Sequence, residues 1–252
     1  MMKRSMRSTG FSLIELLISL TIALVAVLAA TTLYSGTRQT YRVQEMQNRL
    51  TEDGRFAISM LQRVVAQAGF KPTTNPETPW GALGSYIQPT SATQMTVRFI
   101  GDGANQIACD GSLAAGNREL VISSTGNNLD CSGESWIDSS GSGTELVNFL
   151  LEYGSDNAPD TNANYGCGPA GAAAGTLAGD CVADTYVLAT AQGASDRIVA
   201  VRACLVLRSL TTDASIIKGA AYADCSGNDI ADSQNDNRLY RTFRTTVLLR
   251  NR

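Results

Sequence analysis

Histidine is absent from this sequence of 252 residues. A serine or cysteine nucleophile usually needs an imidazole base, so the absence excludes the common hydrolase arrangements. The sequence also lacks a Walker-type loop and a GxGxxG motif ahead of a helix, which are the usual signatures of nucleotide binding. Carboxylates are plentiful, but no two of them stand out as an acid–base pair. We therefore expect neither an enzyme nor a bound cofactor.

The cysteines include no CxxC pair, which together with the lack of histidine argues against a zinc site. Six cysteines instead favour disulfides formed in an oxidising compartment. Six cysteines allow 15 pairings, and the sequence alone does not choose among them. The simplest pairing is sequential, and each bridge would then contribute about 3 kcal/mol in the chain-entropy model. The candidate bridges in this pairing are Cys109–Cys131, Cys167–Cys181 and Cys204–Cys225.

Charge is almost missing between residues 11 and 36, where Glu15 is the one ionisable group with a formal charge. A helix over this run would be roughly 39 Å long at about 1.5 Å per residue. The hydrocarbon core of a bilayer is about 30 Å thick, so the run predicts a membrane-crossing helix. A basic leader containing Lys3, Arg4 and Arg7, and no acid, precedes it.

Three interpretations of this segment remain open. A secretory signal peptide would be cut after the small residues Val27 and Ala29, and a plain signal anchor would not be cut. Neither gives Glu15 a partner, although a carboxylate at membrane depth costs about 2.5–3.5 kcal/mol. Cleavage after Gly10 would instead make Phe11 the N-terminus, with its amine one helical turn from Glu15. The helix dipole would also favour an acid at that end.

The third interpretation is also a family resemblance. A basic leader ending in Gly10, then Phe11, an acid four residues later and a long apolar helix resemble a type IV prepilin signal. The resemblance implies that the prepilin peptidase cuts after Gly10 and that Phe11 becomes N-methylated. It also implies that Glu15 helps to dock the subunit into a growing filament.

The helix is expected to continue beyond the membrane, because residues 37–69 contain no proline. Apolar side chains recur there at helical spacing and predict one buried face: Leu50, Ala57, Ile58, Leu61, Val65 and Ala68. Gly54 weakens this region by about 1 kcal/mol relative to alanine and is a candidate position for a bend. Gly69 and Pro72 are expected to end the helix.

A sheet should cover that apolar face. β-Prone runs predict strands at residues 95–99, 120–122, 146–153, 186–188, 197–207 and 239–249, and polar runs predict surface loops at 156–179 and 226–237. The predicted fold class is therefore α+β, with a long N-terminal helix packed on an antiparallel sheet that carries long, disulfide-closed loops. The expected organisation is a leader (1–10), a membrane and assembly helix (11–36), its amphipathic continuation (37–69) and an exported globular domain (70–252).

Further runs narrow the resemblance to PilW-type minor pilins. They are Asp-Gly-Arg-Phe-Ala at 53–57, Ala-Gly-Phe at 68–70 and Arg-Thr-Thr-Val-Leu-Leu-Arg-Asn at 244–251. The chain departs from the family where Gln67 replaces a common arginine and where Lys71-Pro72 replaces a frequent cysteine. The resemblance implies the pilin fold and a role in assembling or priming a type IV pilus.

The resemblance also implies partners and a location. The partners are the prepilin peptidase, other minor pilins, the major pilin, the inner-membrane assembly platform and membrane lipid. The protein would cross the inner membrane once, keep its C-terminal domain in the periplasm, and then reach the pilus and cell surface. A pseudopilin of a type II secretion system is the first alternative. A secreted binding protein or adhesin with an ordinary signal peptide is the second.

Two weaker patterns resemble binding sites. Two polar clusters are loosely similar to calcium loops: Asp160, Asn162, Asn164 and Gly166, and then Asp229, Asp232, Asp236 and Asn237. Ordinary turn composition explains both, so we expect no metal site. A basic stripe on the last strand resembles a nucleic-acid footprint: Arg238, Arg241, Arg244, Arg250 and Arg252, with Tyr240 and Phe243. Because the chain is acidic overall, with a formal charge of −3, we expect no nucleic-acid partner.

Overall fold

A computed structural model of the chain describes residues 12–72, 85–141, 143–156, 181–192 and 198–251. Within these ranges, one helix, α1 (Leu13–Ala66), precedes nine strands and one short 3-10 turn, Ala189–Ala191. The strands are β1 (Ile87–Ser91), β2 (Gln94–Ile107), β3 (Leu113–Thr125), β4 (Asn128–Cys131), β5 (Glu134–Ile137), β6 (Thr144–Ser155), β7 (Thr185–Val187), β8 (Ile198–Ser209) and β9 (Tyr240–Leu248). This arrangement confirms the predicted α+β class.

The chain divides into two compact units, Met1–Glu45 and Met46–Arg252. The first unit consists, where it is described, of the earlier part of α1, and its side chains are exposed through residue 42. By length and composition this helix is apolar enough to cross a membrane, with a window of mean hydropathy 2.6. A signal sequence would have the same properties.

In the second unit, α1 buries one face against β structure. Its buried residues follow the helical spacing expected from the sequence: Leu50, Gly54, Ala57, Met60, Leu61, Val64 and Val65. The helix ends at Ala66, and Gly69 follows with a φ of +77°. A Cβ atom on Gly69 would lie 1.7 Å from the backbone oxygen of Asn251, so only glycine fits where the C-terminal segment crosses the helix end.

The strands form two antiparallel sheets rather than the one sheet that the sequence suggested. The first sheet has the order β1-β2-β3-β4-β5, and the second has the order β7-β6-β8-β9. The sequence analysis missed β1, β4 and β5. Pro89 in β1 makes that run read as a turn, although proline is compatible with the edge position that β1 holds. β4 and β5 have four residues each and are joined by Ser132 and Gly133, both with positive φ.

Two disulfides hold the connections between strands in place. Cys109–Cys131 links the β2–β3 connection to β4, and Cys204–Cys225 links β8 to the segment before β9. Both belong to the simplest sequential pairing. The remaining candidate bridge involves Cys167, which lies outside the described residues, so that pairing stays a prediction.

Gln67, one of the departures from the PilW pattern, has a defined structural role. Its amide nitrogen donates to the backbone oxygen of Ile107 at 3.1 Å, and its amide oxygen accepts from the backbone N–H of Ile107. The side chain thus extends the ladder at the end of β2 and attaches it to the end of α1. Arginine has no acceptor and could make only half of this contact.

The last strand, β9, packs along α1, and the side chains at its odd-numbered positions make the contacts. Gln62 donates to the Thr245 hydroxyl at 2.7 Å, and Arg241 donates to the Thr51 hydroxyl at 2.8 Å. Between these two contacts, the ring of Phe243 lies directly over Gly54. A Cβ atom at Gly54 would be 2.2 Å from that ring, so the glycine makes room for it.

This packing predicts that Gly54→Ala destabilises the second unit. A methyl group at Gly54 overlaps the Phe243 ring, and overpacking of this kind costs about 1–3 kcal/mol. Gly36→Ala is the matched control in the same helix, because no heavy atom lies within 4 Å of the position where its Cβ would be. The control should be neutral or gain up to about 1 kcal/mol from helix propensity.

The measurement is denaturant unfolding of the full-length variants in detergent micelles, followed by circular dichroism. Adding Phe243→Leu to Gly54→Ala should recover part of the lost stability, because the smaller side chain leaves space for the methyl group. Equal stability of Gly54→Ala and the unmodified protein would contradict the packing described above.

Candidate functional site

The first turn of α1 holds Glu15 in a defined position. The backbone N–H of Ser12 donates to Glu15 Oε2 at 3.4 Å, and the N–H of Leu16 donates to the Ser12 oxygen at 3.2 Å. Glu15 therefore occupies the third helical position and supplies the acidic half of a capping box. The contact keeps its carboxylate at the start of the helix. Gly10 and Phe11 lie outside the described residues, so their roles stay predictions.

The helix that Glu15 begins presents apolar side chains on all sides. Its large hydrophobic residues up to Leu33 are at least half exposed, for example Leu13 at 79% and Leu17 at 51%. A helix that is apolar all round requires an apolar environment, either a bilayer or other helices. The surface of the first unit is therefore suited to membrane insertion and to packing against similar helices.

Hydroxyl groups within the apolar run are satisfied inside the helix. Ser19, Thr21, Thr31 and Thr32 each donate to the backbone oxygen three residues earlier, at 2.8–2.9 Å. Such internal bonds remove the cost of placing a hydroxyl donor in hydrocarbon. The polar residues of this run are therefore compatible with a membrane.

A polar cluster on the four-stranded sheet includes Asp236, one of the residues in the weaker calcium-like pattern. Glu145 is buried and forms ion pairs with Arg208 and Arg238. Asp236 lies 3.6 Å from Arg208 and accepts a hydrogen bond from the Tyr240 hydroxyl. Burial, with this hydrogen bond, raises the pKa of Tyr240. The Asp236 carboxylate therefore serves the packing of the sheet.

Sequence reasoning missed Glu145. The signal was an acid at the start of an apolar strand, where the burial pattern of β6 begins with three consecutive buried residues. An acid in such a position needs compensating cations, and Arg208 and Arg238 provide them. Arg238 belonged to the predicted basic stripe, so the pairing removes one cation from it.

The geometry gives little support to a metal site or to a nucleic-acid binding site. Within the described ranges, no group of three or more acidic or cysteine side chains is arranged to hold a metal ion. The candidate cluster at 160–166 lies outside those ranges. Within the basic stripe, Arg241 donates to Thr51, whereas Arg244 and Arg250 are exposed. Arg252 is outside the described residues.

The second half of the chain matches the model of a protein family. The model described as type IV pilus-assembly protein W matches residues 123–251, from within β3 to the segment after β9. This match covers half of the chain. The chain belongs to the PilW family. The model of the prokaryotic N-terminal methylation motif matches residues 5–31, a range that includes Gly10, Phe11 and Glu15.

Membership in the PilW family confirms that the chain is a type IV pilin with a role in pilus assembly. Proteins of this family are structural and associate with other pilins and the pilus machinery. The methylation motif and the long apolar helix together indicate a membrane-anchored pilin. Residues 32–122 fall between the two matched ranges, so the Gly-Arg-Phe-Ala run lies outside both.

Comparison with solved structures finds a type IV-like pilin from Thermus thermophilus. The two chains are 14% identical, with a TM-score of 0.46, and the similarity covers 80% of this chain and 95% of the other. No curated protein sequence matches this PilW-family chain.

Two aspartates of this pilin predict acid sensitivity. Asp102 accepts hydrogen bonds from the backbone N–H groups of Ala104 and Asn105, at 2.7 and 2.9 Å, and these bonds lower the pKa of Asp102 below its ordinary 3.8. Hydrogen bonds from backbone N–H groups also lower the pKa of Asp224, and the bond from Asn228 has the largest effect. A folded-state pKa that is lowered stabilises the fold above about pH 4, and the contribution is lost as pH falls through the lowered value.

The midpoint of thermal unfolding should therefore fall between about pH 4 and pH 2, and Asp102→Asn should reduce that fall. Asp229→Asn is the control, because the Asp229 side chain accepts no hydrogen bond from the residues that the structure describes. The measurement is thermal unfolding of the full-length variants at closely spaced pH values. An identical pH profile for Asp102→Asn and the unmodified protein would contradict the role of these turns.

Proposed function

We propose that this pilin is activated for assembly by cleavage after Gly10 and that Glu15 then pairs with the new amine of Phe11. The amine can belong to the same chain or to a neighbouring helix. The observation that supports this most directly is the Ser12–Glu15 contact, which holds the carboxylate at the first helical turn. The match of the methylation motif to residues 5–31 supports the same residues.

The physical reason lies in the cost of burying the carboxylate. Among the residues that the structure describes, Glu15 has the Ser12 N–H as a partner and no cation. An unpaired carboxylate at membrane depth costs about 2.5–3.5 kcal/mol. A free amine on Phe11, one turn away, offsets much of that cost and becomes available only after the leader is removed. Cleavage thus converts an unfavourable acid into a docking group.

The protein then acts by assembly rather than by catalysis. It crosses the inner membrane once with its C-terminal domain in the periplasm, and later becomes part of the pilus. The disulfides Cys109–Cys131 and Cys204–Cys225 support an oxidising compartment for that domain. Its proposed partners are the prepilin peptidase, other minor pilins, the major pilin and the assembly platform.

The N-terminal peptide mass of the protein from its native membrane tests this proposal. We expect a mature chain that starts at N-methylated Phe11, and an uncut chain in cells that lack the prepilin peptidase. A chain starting near Ala30 would contradict the proposal, because it would indicate an ordinary secretory signal. An uncut chain in both cell types would contradict it equally, because a plain anchor remains uncut.

A substitution at Glu15 tests the docking step separately. Glu15→Gln should leave cleavage intact but reduce the amount of this protein in sheared pili by about tenfold or more, because the amide cannot neutralise the Phe11 amine. Glu52→Gln is the matched control, since it removes an exposed acid of the same helix. Immunoblots of the pilus and membrane fractions give the ratio. Unchanged incorporation of Glu15→Gln would refute the docking role.

A further inference from the structure

The last strand, β9, leaves one side of its backbone open. It pairs with β8 alone and ends the four-stranded sheet. The N–H of Leu249 donates to Val199, and the oxygen of Leu239 accepts from Ser209, so odd-numbered residues direct their backbone groups toward β8. Even-numbered residues direct theirs outward: Tyr240, Thr242, Arg244, Thr246 and Leu248. No described residue pairs with these outward groups.

A groove runs beside this open edge. It has a volume of about 590 Å³, and its walls are mostly small or flat side chains: Ala221, Tyr222, Ala223, Asp224, Gly227, Thr242 and Arg244. The Cys204–Cys225 bridge and the Tyr222–Thr242 hydrogen bond of 3.1 Å fix the opposite wall to the sheet. The wall formed by residues 221–227 is therefore fixed in position next to the side chains of Thr242 and Arg244.

The edge carries positive charge that the described residues neutralise only in part. Residues 238–251 contain four arginines and no acid. Arg238 pairs with Glu145, and Arg241 donates to Thr51. Arg244 is exposed, lines the groove, and has no hydrogen-bond or ion-pair partner among the described residues. Leu248, at the end of the strand, is 52% exposed.

We propose that the β9 edge binds an extended acidic segment of a neighbouring pilus subunit, which adds to the sheet as a fifth strand. Its backbone pairs with the outward groups of Thr242, Arg244 and Thr246, and one of its carboxylates pairs with Arg244. Main-chain bonds supply affinity in this mode, and side-chain pockets supply specificity. The identity of the partner as a pilus subunit rests on the proposed function above.

A peptide fits this edge better than a nucleic acid. Asp224 lines the same groove, and its carboxylate is negatively charged at neutral pH. That charge repels a phosphate backbone, whereas a peptide can place a small or polar side chain beside it. The outward N–H and C=O groups alternate along β9 at the repeat of a β-strand, which a peptide backbone matches.

Site-specific photo-crosslinking of the full-length protein in its native cells tests the inference. A photoreactive phenylalanine analogue replaces Leu248, and mass spectrometry identifies the crosslinked peptide. Arg244→Glu should reduce the crosslink at least fivefold, because it places like charges together. Arg118→Glu is the matched control, since Arg118 is also exposed on a strand and has no partner among the described residues; it should leave the crosslink unchanged.

A second variant tests the backbone contribution. Thr246→Pro removes an outward N–H of the edge strand and leaves the ladder with β8 intact, because proline is tolerated at such edge positions. It should also weaken the crosslink at least fivefold. Formation of the disulfides and protease resistance of the exported domain show whether the variant folds. If it does not fold, Arg244→Glu decides the question alone.

Crosslinks to an acidic extended segment of another pilin, lost in Arg244→Glu, support the inference. Crosslinks that are absent, that go to nucleic acid or lipid, or that persist unchanged in a folded Arg244→Glu protein overturn it. These results are independent of the Phe11 terminus. A correctly methylated chain without the crosslink refutes this inference alone, whereas a chain that is never cut refutes the proposed function.

Discussion

The contact between the Phe243 ring and Gly54 fixes how the second compact unit of this pilin closes. It places the last strand of the chain against the helix that begins the same unit. The neighbouring Thr51–Arg241 bond joins residues 190 positions apart, so the helix cannot complete its packing before β9 is in place. At the C-terminal end of α1, Asn251 crosses Gly69, and its side-chain amide donates to the backbone oxygen of Ala66 at 3.2 Å. Contacts between residues so far apart in sequence raise the contact order of the second unit, which slows folding.

The sequence was most informative where periodicity was strong. The spacing of Leu50, Ala57, Leu61 and Val65 predicted the buried face of α1, and β8 was visible as a run rich in Ile and Val. The start of the helix was equally clear, because an acid four residues after a Gly-Phe pair is an unusual way to open a long apolar run. These features depend on local sequence, which is why pattern reasoning finds them.

Features that depend on distant partners were not predictable. Gln67 looked like a departure from the family, but its amide replaces a missing strand neighbour at Ile107. Gly54 looked like a weak point or a bend in the helix, yet its role is to admit a ring 189 residues later in the sequence. The division of strands into two sheets depends on pairing between β6 and β8, which no local pattern specifies. The boundary between the two compact units, after residue 45, could likewise not be predicted from composition alone.

Two carboxylates of this chain show how differently the cost of placing an acid in apolar surroundings can be met. Glu145 receives two arginines from the strand β8 and from the segment that leads into β9, so its compensation is complete within one domain. Glu15 receives a single backbone N–H at 3.4 Å from the described part of the chain. Folding supplies the partners of Glu145, whereas the proposed partner of Glu15 is an amine that processing creates or that another subunit brings.

The edge strands of the two sheets differ in how well they are protected against pairing with another chain. β1 carries Pro89, and β5 and β7 have four and three residues, so each is protected by proline or by shortness. β9 is nine residues long, is continuous in its pairing with β8, and has no proline. A long open edge invites pairing with other chains, and proteins usually avoid it. An edge retained next to a rigid groove, in a protein whose role is to join other subunits, is better explained as a binding surface than as an unprotected strand.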